Sequence, residues 1–415
     1  MQLTHTDAGR GFTRRELLHR MALRSKARAA RLRSGGKASA PVTPARDTDT
    51  DVPYAEYLAR FAVGTPPQPV QLVVDTGSDL TWTQCVPCPA CFDQALPYFD
   101  PSLSSSFGVF SCSSSACQDL PLSSCGTERG GWGNQTCVYT YSYGDRSVTT
   151  GLLLSDTFTF AGAVAVPNLA FGCGFFNQGV FNVISNMTGI AGFGRGALSL
   201  PSQLKVDNFS YCFTPVTGSA PSTVLLGLPA NLHSGARGAI QTTPLIQNPA
   251  DQSPTFYYLS LKGITVGSWR LPVPESAFAF TKNGTGGTII DSGTAFTGLP
   301  TKIYRHLRDA FVSQLKELPV TNDDTILCFG VPPGAKPDVP KLALHFEGAT
   351  LDLPRENYIF EFEEAGRSNI CLAIFEAEGQ DDMTILGNYQ QQNMHVLYDL
   401  AGNKLSFVPA HCDRV

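Results

Sequence analysis

An internal duplication constrains the fold of this chain more than any other feature of its sequence. The segment Val73–Ser78, which contains Asp-Thr-Gly, is echoed by Ile289–Thr294, which contains Asp-Ser-Gly. Two further pairs of similar segments flank these motifs in the same order: Val63–Thr65 with Val266–Ser268 before, and Ile190–Gly192 with Ile385–Gly387 after. Three matched signals in one order predict two related lobes, each of which supplies one aspartate.

The two repeated loops carry side chains that a structural core does not need. Asp75 and Asp291 each follow two apolar residues, and burying a carboxylate is costly unless hydrogen bonds satisfy it. Glycine lets the backbone turn tightly and brings amide N–H groups to the carboxylate, while small hydroxyl residues add donors. The supporting residues are Thr76, Gly77, Ser78, Ser292, Gly293 and Thr294. A buried acid that is duplicated in this way indicates a functional site.

Two lobes related by a pseudo-twofold axis would bring Asp75 and Asp291 together. Like charges so close cannot both ionise, so one proton is shared and the two apparent pKa values separate. One carboxylate then takes a proton from water while the other carboxyl donates one to the scissile carbonyl, with no covalent intermediate, cofactor or metal. A two-carboxylate glycosidase is an alternative, but that chemistry does not require matched Asp-Thr/Ser-Gly loops.

Composition and patterning favour a mostly-β chain. Of its 415 residues, 42% are hydrophobic and 16% are charged, which is enough apolar material for two packed lobes. Its 39 glycines and 29 prolines separate short β-branched and aromatic runs, as turns separate strands. One helix is predicted at Lys302–Lys316, where apolar residues recur on one face.

Charge divides the chain into a basic arm and an acidic body. Eleven Lys or Arg and two acidic residues give residues 1–46 a formal charge of +9, and the remaining 19 basic and 33 acidic residues give −14. The arm has the pattern of an amphipathic basic helix at Thr13–Ser34, followed by a linker at Ser34–Asp51. A nucleic-acid or membrane arm is an alternative that the acidic body disfavours, since opposite charges favour contact between arm and body.

Cysteines and sequons favour an oxidising compartment. The chain has twelve cysteines, and Asn-X-Ser/Thr sequons begin at Asn134, Asn186, Asn208 and Asn283. Residues 1–30 contain no apolar stretch of the kind that a signal peptide needs. The expected location is nevertheless secreted, in the apoplast, or vacuolar.

Two other motifs resemble ligand sites but lack residues that such sites need. Cys85, Cys88 and Cys91 have no fourth cysteine at the required spacing and no histidine cluster beside them, so disulfides are expected rather than a metal or iron–sulfur centre. Gly192–Gly196 is glycine-rich, but no Lys-Ser/Thr follows as in a phosphate loop. No metal or cofactor is therefore expected.

The motifs resemble those of the pepsin-like aspartic proteases, in particular the plant nepenthesin-type subgroup, from about Tyr54 to Cys412. The matching segments are Asp75–Trp82, Phe99–Ser102, Tyr143–Ser147, Phe171–Cys173, Ile385–Tyr389 and the cluster of Cys85, Cys88 and Cys91. The resemblance implies an all-β, bilobal acid protease fold with a central cleft and pseudo-twofold symmetry. It divides the chain into a basic prosegment and linker (1–52), an N-terminal lobe (53–232) with a cysteine-rich insertion (85–137), and a C-terminal lobe (233–415).

The resemblance also implies roles for single residues. Asp75 and Asp291 match the catalytic pair, Tyr143 matches the tyrosine of a flap that closes over substrate, and Trp82 matches its hydrogen-bonding partner. Tyr141 is a weaker flap candidate. Two positions depart from the family pattern: Arg146 stands where the flap usually has a small residue, and Ala295-Phe296 follow the second loop where threonine and a smaller apolar residue are commoner.

The resemblance further implies the disulfide pairing and the partners. The implied pairs are Cys85–Cys88, Cys91–Cys173, Cys112–Cys137, Cys117–Cys125, Cys212–Cys412 and Cys328–Cys371. The expected protein is a monomeric endopeptidase that acts on proteins or peptides, with no nucleic-acid partner and no membrane span. A catalytically inactive relative that inhibits cell-wall glycosidases is the rival; such relatives usually lose a catalytic aspartate, and both are present here.

Overall fold

A computed structural model describes most of the chain. The described residues are 2–5, 57–126, 135–179, 181, 187–216, 221–227, 230–250, 254–321, 326–332, 334–364, 367–377 and 383–414. The helix and the linker expected within residues 13–51 lie outside these residues. Within the described residues, strands dominate and helices are few. No helix among the described residues is both long enough and apolar enough to span a membrane.

Strands of the first half run from Gln2 to Leu226. They are β1 (Gln2–His5), β2 (Tyr57–Val63), β3 (Gln68–Asp75), β4 (Trp82–Gln84), β5 (Gly108–Val109), β6 (Ser123–Cys125), β7 (Cys137–Ser142), β8 (Val148–Phe160), β9 (Val164–Gln178), β10 (Gly189–Gly192), β11 (Asn208–Cys212) and β12 (Ser222–Leu226).

Strands of the second half run from Gln241 to Pro409. They are β13 (Gln241–Ile246), β14 (Tyr257–Leu259), β15 (Leu261–Val266), β16 (Trp269–Arg270), β17 (Thr288–Ile290), β18 (Thr297–Pro300), β19 (Ile326–Val331), β20 (Leu342–Phe346), β21 (Ala349–Leu353), β22 (Ile359–Glu364), β23 (Arg367–Ala377), β24 (Thr384–Leu386), β25 (Met394–Asp399) and β26 (Lys404–Pro409). Of these, β15, β16, β20 and β21 form a separate four-stranded sheet.

The described α-helices are two single turns and one longer helix. They are α1 (Ser115–Gln118), α2 (Leu200–Gln203) and α3 (Thr301–Gln314). The last corresponds to the helix predicted at Lys302–Lys316, and it buries its apolar face, including Ile303, Leu307 and Phe311. It ends at Gln314 because Leu315 leaves helical geometry, with φ −110° and ψ 31°.

The duplicated motifs occupy equivalent places in the two halves. Strand β3 lies parallel to β10 with Asp75 opposite Gly192, and β17 lies parallel to β24 with Ile290 opposite Leu386. Each aspartate therefore stands where a buried strand ends beside an apolar-apolar-Gly strand. A Cβ on Gly192 would lie 2.1 Å from the carbonyl oxygen four residues after Asp75. These glycines are needed because the loop backbones pass so close.

A sheet built from both halves joins the lobes. Strand β11 of the first half pairs with β12 and with β25 of the second half, and β25 continues into β26 and β13. Strand β1 pairs antiparallel with β2 and β12, so Gln2–His5 belongs to the same sheet. Aromatic rings of β11 and β25 stack beneath the sheet, with Phe209 and Tyr398 centroids 4.3 Å apart. The fold is thus the two-lobed β structure that was expected.

A hairpin formed by β7 and β8 projects from the first half. Its strands pair in antiparallel register from Val138 with Leu152 to Ser142 with Val148. The turn at Tyr143–Ser147 is closed by a hydrogen bond from the Tyr143 N–H to the Ser147 carbonyl (2.8 Å). This hairpin is the segment that the sequence resemblance identifies as the flap.

All twelve cysteines form disulfides, but four of the implied pairings are wrong. The observed pairs are Cys85–Cys173, Cys88–Cys91, Cys112–Cys125, Cys117–Cys137, Cys212–Cys412 and Cys328–Cys371. The last two agree with the resemblance. The pairings Cys85–Cys88, Cys91–Cys173, Cys112–Cys137 and Cys117–Cys125 are corrected, because strand pairing decides which cysteines meet.

Strand pairing explains the corrected pairs that involve Cys85 and Cys173. Strand β4 lies parallel to β9, and this places the Cα atoms of Cys85 and Cys173 5.4 Å apart, leaving Cys88 and Cys91 to close the short loop between them. Cys125 lies directly opposite Cys137 across β6 and β7. These two cysteines do not bond each other, however. Cys125 bonds Cys112, and Cys137 bonds Cys117, both in the segment that precedes β6.

Candidate active site

The first repeated loop surrounds Asp75 with hydrogen-bond donors. Asp75 is fully buried at the end of β3. The Gly77 N–H donates to its Oδ1 (2.9 Å), and the Ser78 hydroxyl donates to its Oδ2 (2.5 Å). Donors to both oxygens replace the hydrogen bonds to water that burial removes.

The second loop repeats this arrangement residue by residue. Asp291 is fully buried, the Gly293 N–H donates to its Oδ1 (2.9 Å), and the Thr294 hydroxyl donates to its Oδ2 (2.6 Å). The match to the first loop extends to the same atoms at nearly the same distances. Both carboxyls are therefore held in equivalent, desolvated sites.

The two loops are cross-braced by the residues that follow the aspartates. The Thr76 N–H donates to Ser292 Oγ (3.0 Å), and the Ser292 N–H donates to Thr76 Oγ1 (2.9 Å). The Ser292 hydroxyl continues to the Val74 carbonyl (2.8 Å), and the Thr76 hydroxyl to the Ile290 carbonyl (3.4 Å). This exchange relates the loops by an approximate twofold axis and brings both predicted loops into one site.

The two residues predicted for the flap, Tyr143 and Trp82, are in contact. Trp82 Nε1 donates to the Tyr143 hydroxyl (2.6 Å), and both side chains are buried. Burial, followed by the nearby groups Tyr141 and Asp75, raises the pKa of Tyr143 well above its usual value. Tyr143 therefore keeps its own proton at any working pH, and this proton can be donated to a ligand.

Tyr141 has a different environment from Tyr143. Its hydroxyl accepts a hydrogen bond from the Asp79 N–H (3.2 Å), and burial raises its pKa. The rings of Tyr141 and Tyr143 lie 5.3 Å apart, so the two tyrosines form one aromatic group next to the turn of the hairpin. Tyr141 contacts the first loop, whereas Tyr143 contacts Trp82.

Asp79 is a site residue that the sequence interpretation missed. Its Oδ1 accepts from the Gly196 N–H (2.7 Å), and its Oδ2 accepts from the Thr255 hydroxyl (2.6 Å). It therefore fastens the first loop to the glycine-rich segment Gly192–Gly196 and to the start of the second half. An acidic residue four positions after Asp75 was the available signal.

The two departures from the family pattern lie in different surroundings. Arg146 is exposed at the tip of the hairpin and has a left-handed backbone (φ 71°), a conformation that favours glycine. Ala295 and Phe296 are buried, and the Phe296 ring contacts Tyr389 edge-on at 5.3 Å. Arg146 therefore presents a cation to the solvent above the loops, whereas Phe296 fills the core behind Asp291.

The remaining predicted residues lie away from the two loops. Asn283 is exposed in a turn, Asn208 is half-buried in β11, and Asn134 and Asn186 lie outside the described residues. In the described part of the chain, no group of three or more His, Cys, Asp or Glu side chains could hold a metal ion.

Comparison with known proteins places the whole arrangement in a family. The family model described as xylanase inhibitor N-terminal matches residues 57–228, and the model described as xylanase inhibitor C-terminal matches residues 256–409. Aspartic proteinase nepenthesin-1 of Nepenthes gracilis is 44% identical over 99% of this chain and 90% of that protein. This chain belongs to the nepenthesin-type pepsin-like aspartic proteases.

Other relatives of this nepenthesin-type protease carry the same description. Aspartic proteinase nepenthesin-2 of Nepenthes gracilis is 41% identical, over 99% of this chain and 90% of that protein. Aspartyl protease family protein 2 of Arabidopsis thaliana is 39% identical, over 86% of this chain and 71% of that protein. The nepenthesin-type chain is accordingly an aspartic-type endopeptidase, a hydrolase.

Solved structures share the fold of the nepenthesin-type chain at lower identity. The crystal structure titled edgp has a TM-score of 0.72 and 21% identity, and covers 89% of this chain and 95% of its own. Basic 7S globulin from soybean has a TM-score of 0.67 and 20% identity, covering 87% and 96%. These likenesses support the pepsin-like fold alone.

Proposed function

We propose that the protein cleaves proteins or peptides at acid pH with a water molecule activated between Asp75 and Asp291. The observation that carries this proposal is the matched pair of buried loops, each holding its carboxyl through a glycine N–H and a hydroxyl. Aspartic proteases are the standard example of two carboxyls that share one proton. The family membership makes the peptide bond the expected substrate.

The geometry supports a direct attack by water. The ionised carboxylate accepts a proton from the water, whose oxygen attacks the carbonyl carbon of the peptide bond. The other carboxyl, Asp75 or Asp291, donates its proton to the carbonyl oxygen, which gives a neutral tetrahedral diol. Collapse of the diol returns a proton to the carboxylate and transfers one to the leaving amine, so the pair ends with one shared proton. Tyr143 at the flap is positioned to donate to the substrate backbone.

The decisive test compares single carboxyl variants on an acid-denatured protein substrate at about pH 3, between the separated pKa values of such a pair. Asp75→Asn and Asp291→Asn should each lower kcat at least about a thousandfold, since each removes one acid–base partner. Asp119→Asn, at an exposed aspartate, serves as the matched control. Pepstatin should abolish the wild-type activity.

Two outcomes would contradict the proposal. Activity that survives Asp75→Asn would contradict the two-aspartate mechanism, and a folded wild type without acid peptidase activity would favour the glycosidase-inhibitor role.

We also propose that the protein is secreted or vacuolar, glycosylated and monomeric. The six disulfides support an oxidising compartment, and exposed Asn283 is the best placed of the described sequons.

A further inference from the structure

We infer that Tyr211, Tyr398 and Gln391 form a buried hydrogen-bond network that positions the peptide group of Asp291 for catalysis. This inference rests on the proposed two-aspartate function. The three side chains are positioning residues, since they act through Asp291 and not on substrate. They come from both halves, because Tyr211 lies on β11 and Tyr398 on β25, and these strands pair across the lobe junction.

The network is continuous from strand to catalytic loop. The Tyr398 and Tyr211 hydroxyls lie 2.8 Å apart, and the Tyr211 hydroxyl donates to Gln391 Oε1 (2.5 Å). Gln391 Nε2 donates to the carbonyl of Leu386 (3.0 Å) and to that of Asp291 (3.4 Å). Tyr211 and Tyr398 are fully buried, and Gln391 is 2% exposed.

The donor directions in the network follow from the amide. Gln391 Nε2 faces two carbonyls, so its Oε1 must face Tyr211 and accept from it. That bond uses the only proton of the Tyr211 hydroxyl, so Tyr211 must accept from Tyr398. The proton order therefore runs from Tyr398 through Tyr211 and Gln391 to the Asp291 carbonyl, and no member can reverse alone.

The first loop shows an asymmetry between the two residues that follow the aspartates. The Thr76 hydroxyl lies 3.4 Å from the Ile290 carbonyl, whereas its twin, Ser292, lies 2.8 Å from the Val74 carbonyl.

Electrostatics and burial support a functional rather than a packing role. Burial raises the pKa of both Tyr211 and Tyr398, and the charge of Asp291 adds to both rises. Both hydroxyls therefore lie within electrostatic reach of the carboxylate. Phenylalanine would fill the two tyrosine positions without placing polar atoms in the core. Burial of two hydroxyls and an amide near one carboxylate has a desolvation cost, which indicates that these groups have a role besides packing.

The two aspartates are anchored differently as a result. The Asp75 carbonyl accepts from the backbone N–H of Phe193 (2.8 Å), whereas the Asp291 carbonyl accepts from the Gln391 side chain. The Ser292 N–H, on the same peptide group as the Asp291 carbonyl, donates to Thr76. Both ends of that peptide group are thus bound by side chains, those of Gln391 and Thr76, and this fixes its orientation.

The test measures kcat, KM and the pH–rate profile of Tyr211→Phe, Tyr398→Phe and Gln391→Leu, with active sites titrated by pepstatin. Each variant should lower kcat on the order of tenfold with KM nearly unchanged, because a small displacement of a reacting group costs rate rather than binding. At least one limb of the pH–rate profile should move. The Tyr211→Phe/Tyr398→Phe double variant should resemble the more severe single variant, since both break one chain.

Tyr358→Phe is the matched control. Tyr358 is also buried, and its hydroxyl donates to the Pro340 carbonyl (3.0 Å), outside the network. It should lose stability but keep the wild-type kcat and pH–rate profile. If Tyr211→Phe does not fold, Tyr398→Phe provides the same comparison, because it leaves the bond between Tyr211 and Gln391 in place.

The outcomes separate the two proposals. If all three variants keep the wild-type kcat and pH–rate profile per titrated site and lose only thermal stability, the network is structural and the inference is overturned. If wild type itself shows no pepstatin-sensitive activity, or Asp75→Asn retains activity, the proposed function fails first. Wild-type activity with inactive Asp75→Asn and slowed Tyr211→Phe supports both.

Discussion

Small polar residues, rather than large ones, hold the proposed catalytic aspartates. Each carboxyl is bound by a glycine N–H and a hydroxyl. The residue between the aspartate and the glycine, Thr76 or Ser292, bonds to its counterpart in the other loop. Ser292 has the most demanding position, because its hydroxyl accepts from the Thr76 N–H and donates to the Val74 carbonyl. Loss of that hydroxyl would leave two buried backbone groups without their partner.

Ser292→Ala should therefore lower the free energy of unfolding by about 2–6 kcal/mol, because each of the two buried backbone groups that lose their partner costs about 1–3 kcal/mol. Scanning calorimetry of the purified protein measures this change. Ser292→Thr is the matched control, since the first loop carries threonine at the equivalent position 76 and makes the same exchange. Equal destabilisation by alanine and threonine would show that the hydroxyl is not the cause.

Strand β25 carries a second polar group into the core besides Tyr398. His395 is 2% exposed, its Nε2 lies 3.4 Å from Ser210 Oγ, and its Nδ1 has no hydrogen-bond partner among the described residues. Burial lowers the pKa of His395 below its usual value. In the window between about 6.5 and this lowered pKa, the unfolded chain binds more protons than the native one, so His395 costs stability as the pH falls.

His395→Gln should therefore flatten the loss of stability on acidification. Thermal midpoints measured from pH 7 down to pH 5, which covers the region below about 6.5, should fall less in the variant than in wild type. His411→Gln, at an exposed histidine on the C-terminal segment, controls for loss of a histidine as such. Identical pH slopes for wild type and His395→Gln would contradict the prediction.

At the scale of the whole molecule, sheet pairing joins residues 2–5 to the body, and the N-terminal arm and the body carry opposite net charges. The arm carries +9 against −14 on the rest of the chain, and Gln2–His5 pairs with β2 and β12 in the sheet that joins the lobes. The proposed prosegment thus begins inside the shared sheet. The attraction between the arm and the body weakens as the carboxylates of the body are protonated in acid, and this favours release of the arm.

Incubation of the full chain at acid pH should yield a new N-terminus between roughly Ser34 and Tyr54. Edman sequencing or intact mass measures the cut, and the neutral-pH sample is the control. Asp75→Asn, kept in the same acid buffer, shows whether the protein cuts itself. If charge attraction retains the proposed prosegment, high salt at neutral pH should also promote its release. Absence of any cut in this window would contradict the prosegment proposal.

Local sequence was sufficient to predict those features whose residues are contiguous in the chain. The Asp-Thr/Ser-Gly loops, the paired apolar-apolar-Gly segments and the helix near Thr301 could all be predicted. Each depends on a short run with a fixed pattern of burial, turning or period. The contact between Trp82 and Tyr143 followed from resemblance to a family, since nothing in the spacing of the two residues requires it.

Long-range partners were decided by the tertiary structure alone. Cys85 meets Cys173 because β4 runs beside β9, although Cys88 is much nearer along the chain. Tyr211, Tyr398 and Gln391 look like ordinary core and surface residues until β11 and β25 pair across the lobes. The duplicated sequence by itself determined that two aspartates would share a site. Only the packed fold decided what lies beneath them, because burial and partner choice depend on which distant strands become neighbours.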